Sequence, residues 1–486
     1  MHYFRSATAV ILIISCMFLS TAGWAQDDEE QLPEELVFRK VEPSPIANFV
    51  VQLFTEAYAR LGIELRFEDM PRNRSLTEAN KGRIAGELGR VPRLHDEYTN
   101  LLRVDFPLFD SEVVMVADRR ECGLCGFSTI DSFAYIGGTQ SVEEVLEDLA
   151  IDMPSIQAVN FTQLELLYTN DRVDAILLND FEAEQLEAVD EYTIFVPYKR
   201  NTGYHFLHKK YAFLIPKIEA ILEDMLSSGR VLEIIALNNA HLRTTLGFEN
   251  SPDFGSVRFS AGLWPEYTNA DGSGAYWNVM GRIFAPVATH LDFHANTFSR
   301  AYRGLDDSRF DALVGALTDQ TPDNTIVSRN HIDFDSPLYV FAASEQDMQQ
   351  VQAGTMERPI CHVAGYEYEQ LLSAELNYYS ADSHLDCFAM LDMGRVGAVV
   401  GYPENVPDWT NSPYSMIKLR DALPIHVAFQ NTPHGYRLRD WFDAKFREMV
   451  KTGTIKDIYT DEMIKRAYLH LSIPDESKAK VQGTAW

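Results

Sequence analysis

The chain repeats itself: two sets of short motifs occur in the same order, about 225 residues apart, as expected of duplicated domains. In the first half the motifs are R-S-L at Arg74, GRIAGELG at 82–89, VDFPLF at 104–109 and NDRVDAILLND at 170–180. Their counterparts are R-G-L at Arg303, SRFDALVGAL at 308–317, IDFDSPLY at 332–339 and MGRVGAVVGY at 393–402. Near the end of each half a helical pattern stops at a glycine, Gly229 or Gly453. The repeat predicts two homologous domains, joined somewhere between Leu237 and Ser256.

The length of 486 residues is sufficient for two such domains, each with its own core. With 46% hydrophobic and 23% charged residues, the composition is typical of a globular protein and not of a disordered one. Acidic residues outnumber basic ones by 71 to 42, and the sequence contains no basic cluster. Nucleic acid is therefore excluded as a partner, because binding it depends on Lys and Arg side chains that neutralise phosphates.

The first 25 residues are typical of a secretory signal peptide. Arg5 precedes an apolar run at 7–19, and small residues then lead to Ala25, after which the sequence becomes abruptly acidic. We predict a signal peptide at 1–25, cleaved after Ala25, and a mature protein that is exported to the periplasm. The apolar run is short for a membrane span, and an uncleaved anchor is the alternative.

Four cysteines follow the predicted signal peptide, and an even number in an oxidising compartment predicts two disulfides among three possible pairings. We expect Cys361, at the end of the strand-like RPIC, to pair with Cys387 in the helical HLDCFAML. Cys122 and Cys125 would then form a local bridge. A redox or zinc site is disfavoured, because a single C-x-x-C without a second Cys/His pair is a weak signal.

In each half, amphipathic helical patterns alternate with short apolar runs. One helix is predicted to begin after Ser44, with Pro45 in its first turn and Gly62 as its stop. Short strands are predicted at 36–41, 63–69, 83–88, 111–117, 133–138 and 173–178. This alternation predicts α/β domains with mostly parallel sheets, whose ligands bind beyond the carboxyl ends of the strands.

The segment PRNRSLTEANKGRIAGELGRVPRLHDEYTNLLRVDFPLF (71–109) resembles the first lobe of bacterial extracellular solute-binding proteins of family 3, the amino-acid-type periplasmic binding proteins. ALVGALTDQTPDNTIVSRNHIDFDSPLY (312–339) resembles the same segment in the second half. The resemblance implies two tandem type 2 periplasmic-binding-protein domains, α/β with mostly parallel mixed sheets, each of two lobes that are linked by two crossing strands and enclose a ligand cleft. On this basis we predict a first domain at 33–240, with one lobe at 33–113 and 200–240 and the other at 114–199. The second domain is predicted at 256–465, with one lobe at 256–342 and 425–465 and the other at 343–424. A C-terminal tail is predicted at 466–486.

The resemblance also implies ligand contacts in the first half. In the amino-acid binders an arginine after the first Gly-rich strand pairs with the ligand carboxylate; Arg90 and Arg93 lie in that neighbourhood, and Arg90 is nearer the strand end. An aspartate receives the ligand ammonium, and Asp180 stands in its place. A turn before a helix would offer N–H groups to the carboxylate, and its residues are Thr139, Gln140 and Ser141. For each residue the alternative is structural, as a solvated loop arginine or a helix cap.

The second half departs from this pattern. Asn324 stands where the family has its arginine and Tyr402 where it has its aspartate, although Arg329 or Glu404 would substitute if their loops turn inward. A second cleft would instead be aromatic, and its candidate residues are Trp264, Tyr267, Tyr339 and Tyr402. Such a cleft either takes a less charged ligand, sugar-like or aromatic, or is structural. We favour the structural interpretation, because aromatic side chains are more often part of a core.

The sequence contains no motif for nucleophilic, metal-dependent or nucleotide-dependent catalysis, so no catalytic residue, metal or cofactor is predicted. We predict a periplasmic binding protein that takes a small polar, amino-acid-like solute and delivers it to a membrane permease for ABC-type uptake. Two alternatives stay open. One is a ligand-sensing component that acts through a separate membrane signalling protein, and the other is a dehydratase-like enzyme on the same fold.

Overall fold

The computed structural model describes residues 32–238, 240, 252–322, 324–364, 368–373, 375–406 and 412–474. The predicted signal peptide at 1–25 and the part of the predicted tail beyond residue 474 lie outside these ranges. Within them, no helix combines the length and the apolar character needed to cross a membrane.

Strands and helices alternate in the first half, as predicted. Its strands are β1 (Glu35–Arg39), β2 (Glu64–Glu68), β3 (Gly86–Arg90), β4 (Leu101–Asp118), β5 (Phe133–Ile136), β6 (Ser155–Ala158), β7 (Ala175–Asn179) and β8 (Thr193–His208). Its helices are α1 (Pro45–Ala59), α2 (Arg72–Asn80), α3 (Leu94–Glu97), α4 (Arg119–Cys122), α5 (Gln140–Asp148), α6 (Phe161–Thr169), α7 (Asp180–Ala183), α8 (Ile215–Ser227) and α9 (Arg230–Leu237).

The second half has a similar succession of elements. Its strands are β9 (Ser256–Gly262), β10 (His290–Asn296), β11 (Ala312–Ala316), β12 (Thr325–Val327), β13 (Asp333–Phe334), β14 (Leu338–Ala342), β15 (Ile360–Val363), β16 (Tyr378–Ala381), β17 (Ala398–Gly401), β18 (Ser415–Arg420) and β19 (Pro424–Gln430). Its helices are α10 (Ala275–Phe284), α11 (Phe298–Asp306), α12 (Glu345–Gln352), α13 (His384–Asp392), α14 (Pro433–Lys451) and α15 (Asp461–Arg466).

Helix α1 shows how the local sequence sets these elements. Ser44 is its N-cap, and Ser44 Oγ accepts a hydrogen bond from the N–H of Ala47 at 3.0 Å. Pro45 opens the helix at a position where a missing N–H is not needed. The buried face of the helix consists of Ile46, Phe49, Val50, Leu53, Phe54, Ala57 and Tyr58. The chain turns away at Gly62, whose φ of +74° lies in the left-handed region that favours glycine.

Strands β4 and β8 link the two lobes of the first half. They pair antiparallel from Leu101 opposite His208 to Asp118 opposite Thr193. Buried side chains along β4 belong to cores of different lobes: Val104, Phe106 and Leu108 pack in the core around α1, whereas Val113, Met115 and Ala117 pack in the core around β5 and β7. The strand order is β3-β8-β4-β7-β5-β6, with the parallel pair β1-β2 beside β3. Each lobe therefore has its own core, and two long strands cross between them.

The second half has the same strand order. One lobe contains β10-β9-β11-β19-β12, with β13 also paired to β19, and the other contains β16-β15-β17-β14-β18. Here each crossing connection is interrupted by a short link, at 335–337 between β13 and β14 and at 421–423 between β18 and β19. The predicted fold class is confirmed: the chain consists of two tandem type 2 periplasmic-binding-protein folds with mixed sheets. The residue bounds predicted for the domains and lobes stay predictions.

The segment at 466–474, which was predicted as part of a tail, packs on the second half. Helix α15 ends at Arg466, and Leu469 is buried in the same core as Phe446. Beyond this helix, the side chain of Ser472 reaches the first half, where its Oγ accepts from the N–H of Leu124 at 2.8 Å.

Leu124 belongs to a loop of the first half that enters the core of the second half. Its side chain is buried in the core cluster that Phe446 and Leu469 also form. Next to it, Arg447 donates a hydrogen bond to the carbonyl of Cys125 at 2.7 Å. The two halves are thus joined by packing and hydrogen bonds as well as by the chain.

Arg119 is a second contact between the halves and is 4% exposed. Its guanidinium donates to the carbonyls of Tyr192 and Thr193 and lies 3.0 Å from His426 Nε2 in the second half. His426 Nδ1 lies 2.8 Å from the carbonyl of Ser328, which only accepts, so Nδ1 carries the proton and Nε2 accepts from Arg119. Burial lowers the pKa of Arg119 to about 9, and burial together with the Arg119 charge lowers the pKa of His426.

Both predicted disulfides are present. Cys122 and Cys125 are bonded with their Cα atoms 4.7 Å apart, and Cys361 and Cys387 are bonded with theirs 5.5 Å apart. Cys361 lies on β15 and Cys387 on α13, as the sequence indicated. The predicted pairing is confirmed.

Candidate functional site

A cavity of about 420 Å³ lies between the two lobes of the first half. The lobe that contains α1 lines it with Arg39, Val41, Glu42, Pro43, Ser44, Ile46, Ala47, Val50, Arg72, Leu88, Gly89, Arg90 and Val91. The other lobe lines it with Thr139, Gln140, Ser141, Asn160, Phe161, Thr162, Asn179, Phe181, Glu182 and Gln185, and the crossing strands add Phe109, Ser111 and Gly203. Its size and its mixture of apolar walls with a few polar groups are typical of a small-molecule site.

Sheet geometry explains why these residues meet. Arg39, Arg90 and Asn179 are the last residues of β1, β3 and β7, while Thr139 and Asn160 follow β5 and β6 at the starts of helices. The carboxyl ends of these strands from both lobes therefore face the same space, which is the usual position of a ligand in open α/β sheets.

Arg72 connects the two lobes across the cavity. From the start of α2 its guanidinium reaches Glu182 Oε1 at 2.5 Å and Thr139 Oγ1 at 2.8 Å, both on the opposite lobe. Glu182 also accepts from the backbone and side-chain N–H groups of Asn179 at 3.1 and 3.0 Å. Burial alone would raise the pKa of the Glu182 carboxyl, but the Arg72 charge and these hydrogen bonds hold the pKa below its ordinary value. Glu182 is therefore an ionised carboxylate with its oxygens in use.

Arg90 is paired within its own lobe. Its guanidinium lies 2.8 Å from Glu87 Oε2, and the Glu87 side chain is 4% exposed. A longer hydrogen bond of 3.5 Å reaches Ser75 Oγ. Arg90 lines the cavity, but most of its charge is compensated by the protein, and its predicted contact with a ligand carboxylate stays a prediction.

Arg39 has no such partner in the described part of the chain. Its Nη1 donates to the carbonyl of Lys40 at 3.0 Å, and its buried Nε makes no hydrogen bond. Burial and the positive charge of Arg90, with a smaller contribution from Arg72, lower the pKa of the Arg39 guanidinium to about 10, although Glu87 acts in the opposite direction. The protein therefore leaves this guanidinium without a counter-charge in contact.

The predicted turn at 139–141 lines the cavity from the opposite lobe. Thr139 Oγ1 accepts from Arg72, and Ser141 Oγ donates to Asn179 Oδ1 at 2.8 Å. The buried Oε1 of Gln140 has no hydrogen-bond partner among the described residues. Thr139 and Ser141 therefore organise the wall of the cavity, while Gln140 retains an unused acceptor.

The structure does not bring Arg93 or Asp180 into the cavity lining. Arg93 is 43% exposed and pairs with Glu147 at 2.7 Å, on the outer side of α5. Asp180 Oδ1 accepts from the N–H of Glu112 on β4 at 3.1 Å and from its neighbour Phe181. The Asp180 carboxylate thus binds a crossing strand, and its placement beside a ligand ammonium stays a prediction. Glu42, which lies 3.9 Å from Arg72, is a carboxylate in the lining that the sequence interpretation missed.

In the second half, Trp264 and Tyr267 pack against the core. The Trp264 ring covers Gly315 so closely that a Cβ added there would lie 2.3 Å from it. Tyr267 Oη accepts from Arg466 at 3.0 Å. The counterpart of β3 is β11, which ends at Ala316, whereas Asn324 lies further along, directly before β12. No arginine therefore ends this strand.

Tyr339 and Tyr402 pack at the edges of two cores in the other lobe of the second half. Tyr402 Oη donates to Asp335 Oδ2 at 3.1 Å, and Arg420 lies 2.9 Å from the same oxygen. Asp335 also accepts from the N–H of Leu423, so it joins both crossing links of this half. The structural role that we favour for this aromatic set stays a prediction.

Sequence reasoning missed Arg39, Arg72 and Glu42. Arg72 is the first residue of α2 and lies inside the segment that carries the family resemblance, and that resemblance was the sequence signal that could have identified it. Arg39 ends β1 and Glu42 lies between β1 and α1, where the carboxyl end of a predicted strand meets a predicted helix. Within the described residues, no group of three or more His, Cys, Asp or Glu side chains is arranged to hold a metal ion.

No family model matches this chain. An uncharacterized protein of Shewanella oneidensis is 20% identical over 190 residues, which cover 36% of this chain and 70% of that protein. Among solved structures, a mutant of ArgBP from T. maritima is 18% identical, covers 43% of this chain and 96% of its own, and has a TM-score of 0.38. The B. pertussis BvgS periplasmic domain is 13% identical, covers 92% of this chain and 93% of its own, and has a TM-score of 0.37. Because these similarities are low, the fold is assigned from the strand order and the crossing connections.

Proposed function

We propose that this chain binds one small amino-acid-like solute in the cleft of its first half and is a periplasmic binding protein without catalytic activity. The observation that carries the proposal is the cavity of about 420 Å³ between two lobes, with arginines on one wall and a polar turn on the other. Arg39 supplies positive charge for a carboxylate, with Arg90 on the same wall of the cavity, and Glu42 replaces Asp180 as the acceptor for an ammonium group. The apolar walls around Val50, Phe109 and Phe161 suit an aliphatic or aromatic side chain.

The carboxylate buried in this cavity supports binding rather than catalysis. Glu182 is ionised, paired with Arg72 and hydrogen-bonded to Asn179, so it is a poor general acid. A catalytic carboxylate would instead be expected to have a pKa raised toward the working pH.

The proposed compartment is the periplasm. Two disulfides are typical of an oxidising environment, and they agree with the signal peptide predicted at 1–25. We propose delivery of the bound solute to a membrane permease for ABC-type uptake.

A sensing role is the second candidate, and contacts at the crossing strands favour it. Glu112 on β4 pairs with Arg329 of the second half at 2.6 Å, and Arg200 on β8 pairs with Asp440 of the second half at 2.8 Å. A change in the angle between the two lobes of the first half would thus move the contacting residues of the second half. A membrane signalling protein that binds the second half would respond to this movement.

The first experiment is a thermal-shift screen of the mature protein against amino acids, polyamines and sugars, followed by calorimetry of each compound that stabilises it. We expect a carboxylate-containing amino acid to bind and to be recovered chemically unchanged by mass spectrometry. No binding across the panel would contradict the proposal, and a dehydrated product would favour the dehydratase alternative.

Cells that lack the gene distinguish a role in uptake from a role in sensing. Loss of uptake of the radiolabelled solute, restored by the intact gene, supports the transport role. Normal uptake combined with loss of a transcriptional response to the solute supports the sensing role.

A further inference from the structure

The three arginines that line the cavity differ in what they contact. Arg72 pairs with Glu182 across the cleft, and Arg90 pairs with the buried Glu87. In the described part of the chain, the Arg39 guanidinium donates only to the carbonyl of Lys40, and its Nε is buried without a hydrogen bond. Among these three arginines, Arg39 is therefore the one whose guanidinium pairs with no carboxylate of the described residues and can still bind an anion.

An unpaired guanidinium in such a position is unfavourable. Burying a charged group without a counter-charge costs free energy, and a neighbouring charge of the same sign adds to that cost. Arg90 and Arg72 both raise the positive potential around Arg39, which Glu87 and Glu42 offset only in part and without contacting it. Proteins retain such a strained arrangement where function requires it, typically at a binding site.

The opposite wall offers a matching group. The Oε1 atom of Gln140, at the start of α5, is buried and has no hydrogen-bond partner among the described residues. Arg39 and Gln140 belong to different lobes and line the same cavity. A ligand between them would satisfy an unused donor on one lobe and an unused acceptor on the other.

We propose that Arg39 is the specificity-determining residue of the cleft: it binds the anionic group of the ligand, while Gln140 on the opposite lobe accepts a hydrogen bond from that ligand. This inference rests on the proposed function and narrows it to carboxylates that also carry a hydrogen-bond donor. Polyamines and neutral sugars leave the Arg39 charge uncompensated and are rejected. Arg90, whose charge Glu87 already balances, positions the wall and is not the main anion partner.

The test uses formate, the smallest carboxylate, so that it does not depend on knowing the natural ligand. Sodium formate is expected to raise the melting temperature of the full mature protein more than sodium chloride of equal ionic strength does. R39Q is expected to abolish this difference, and R39K to restore part of it. R93Q, which removes an arginine outside the cavity, is expected to respond as the wild type does.

The melting temperature without ligand separates a binding role from a structural one. R39Q is expected to melt at or above the wild-type temperature, because it removes an uncompensated charge. R90Q is expected to melt lower, because it leaves Glu87 buried and unpaired. A formate response that persists in R39Q, the absence of one in the wild type, or an R39Q protein destabilised as strongly as R90Q would overturn the inference.

Calorimetry with any amino acid that binds the wild type completes the test. R39Q is expected to weaken its affinity roughly 100-fold or more, as for loss of one partner in a desolvated charge pair. Unchanged affinity in R39Q refutes the role of Arg39 and leaves the proposed function intact. An Arg39-dependent formate response without binding of any amino acid supports the role of Arg39 and refutes the proposed function.

Discussion

His205 is a buried base that the fold requires in its neutral form. Its Nδ1 lies 2.9 Å from the carbonyl of Glu87, so Nδ1 carries the proton, and its Nε2 accepts from the hydroxyl of Tyr58 at 2.8 Å. Burial lowers the pKa of His205 to about 3. Because the unfolded chain binds a proton near pH 6.5 and the folded chain does not, the stabilising contribution is present above pH 6.5 and is lost as the pH falls toward 3.

We expect the stability of the protein to fall between pH 6.5 and pH 4, by about 1.4 kcal/mol per pH unit for each histidine of this kind. Urea unfolding at several pH values measures the slope. H205Q should reduce the slope, whereas H290Q, whose side chain is 68% exposed, should leave it unchanged. An identical slope in H205Q and wild type would show that other groups cause the acid sensitivity.

Arg72 and Glu182 hold the two lobes together without a ligand. Their side chains are 14% and 8% exposed, so removing one leaves the other buried and unpaired at a cost of about 3–5 kcal/mol. Separation of the lobes rehydrates the remaining group, and we therefore expect R72Q to favour an open cleft. Small-angle X-ray scattering should show a larger radius of gyration for R72Q than for wild type. R60Q is the control, because Arg60 pairs with Asp224 at the surface, and it should change neither the radius nor the stability by more than about 1 kcal/mol.

Among helices and strands, the sequence predicted those whose formation depends on residues close together in the chain. Helix α1 follows from Ser44, Pro45 and its apolar spacing, all of which act within a few residues. The strand predicted at 111–117 is in fact the second part of β4, which begins at Leu101 and passes through Pro107. Register shifts surround Pro107, as expected where proline occurs within a strand. The full crossing strand was not predictable locally, because its pairing with β8 decides it.

Ion pairs with the second half also hold the crossing strands of the first half in place. Glu112 and Arg200 face each other in the register of β4 and β8, and they pair with Arg329 and Asp440 of the second half. We expect E112Q to lower the stability by about 1 to 3 kcal/mol, because it weakens the compensation of two arginine charges. Hydrogen exchange should increase both along β4 and around Arg329. An effect confined to β4 would show that the strands are not coupled to the second half.

Asp105 provides the matched control for this experiment. It lies on the same strand and pairs with Arg103 at 2.9 Å, but its side chain is 72% exposed. D105N should therefore change hydrogen exchange in neither half, because a solvated ion pair contributes little to stability.

For the whole molecule, the two halves share a fold but differ in charge at corresponding positions. In the first half β3 ends at Arg90, whereas β11 ends at Ala316, directly after Gly315, which the Trp264 ring covers. A zwitterion that leaves water needs both of its charges compensated. We therefore expect an amino-acid ligand to bind with a stoichiometry of one per chain in calorimetry. A stoichiometry of two, each site with similar affinity, would show that the second half compensates the charges with other residues.

The contact between the halves could not be predicted from the sequence. Arg119 and His426 are 307 residues apart, and neither belongs to a motif that indicates a partner. Some residues of the candidate site were also unpredictable, because their role depends on neighbours in space that the sequence does not indicate. Arg90 and the turn at 139–141 were predictable because a family resemblance marks them, whereas Arg39 becomes notable only when its neighbours in space are known to lack a counter-charge.

The loop that contains Leu124 has a consequence for folding of the chain during its synthesis. Its hydrogen-bond partner Ser472 is 348 residues later, so at ~5–20 residues per second the ribosome needs roughly 20 to 70 s to supply it. During this time the first half can form its lobes, but Leu124 and Arg119 lack the surface that buries them. A chain that stops before Leu469 leaves the apolar side chain of Leu124 without part of the core that buries it, and is prone to aggregate. Recombinant production, truncation and domain exchange should therefore treat the two halves as one unit.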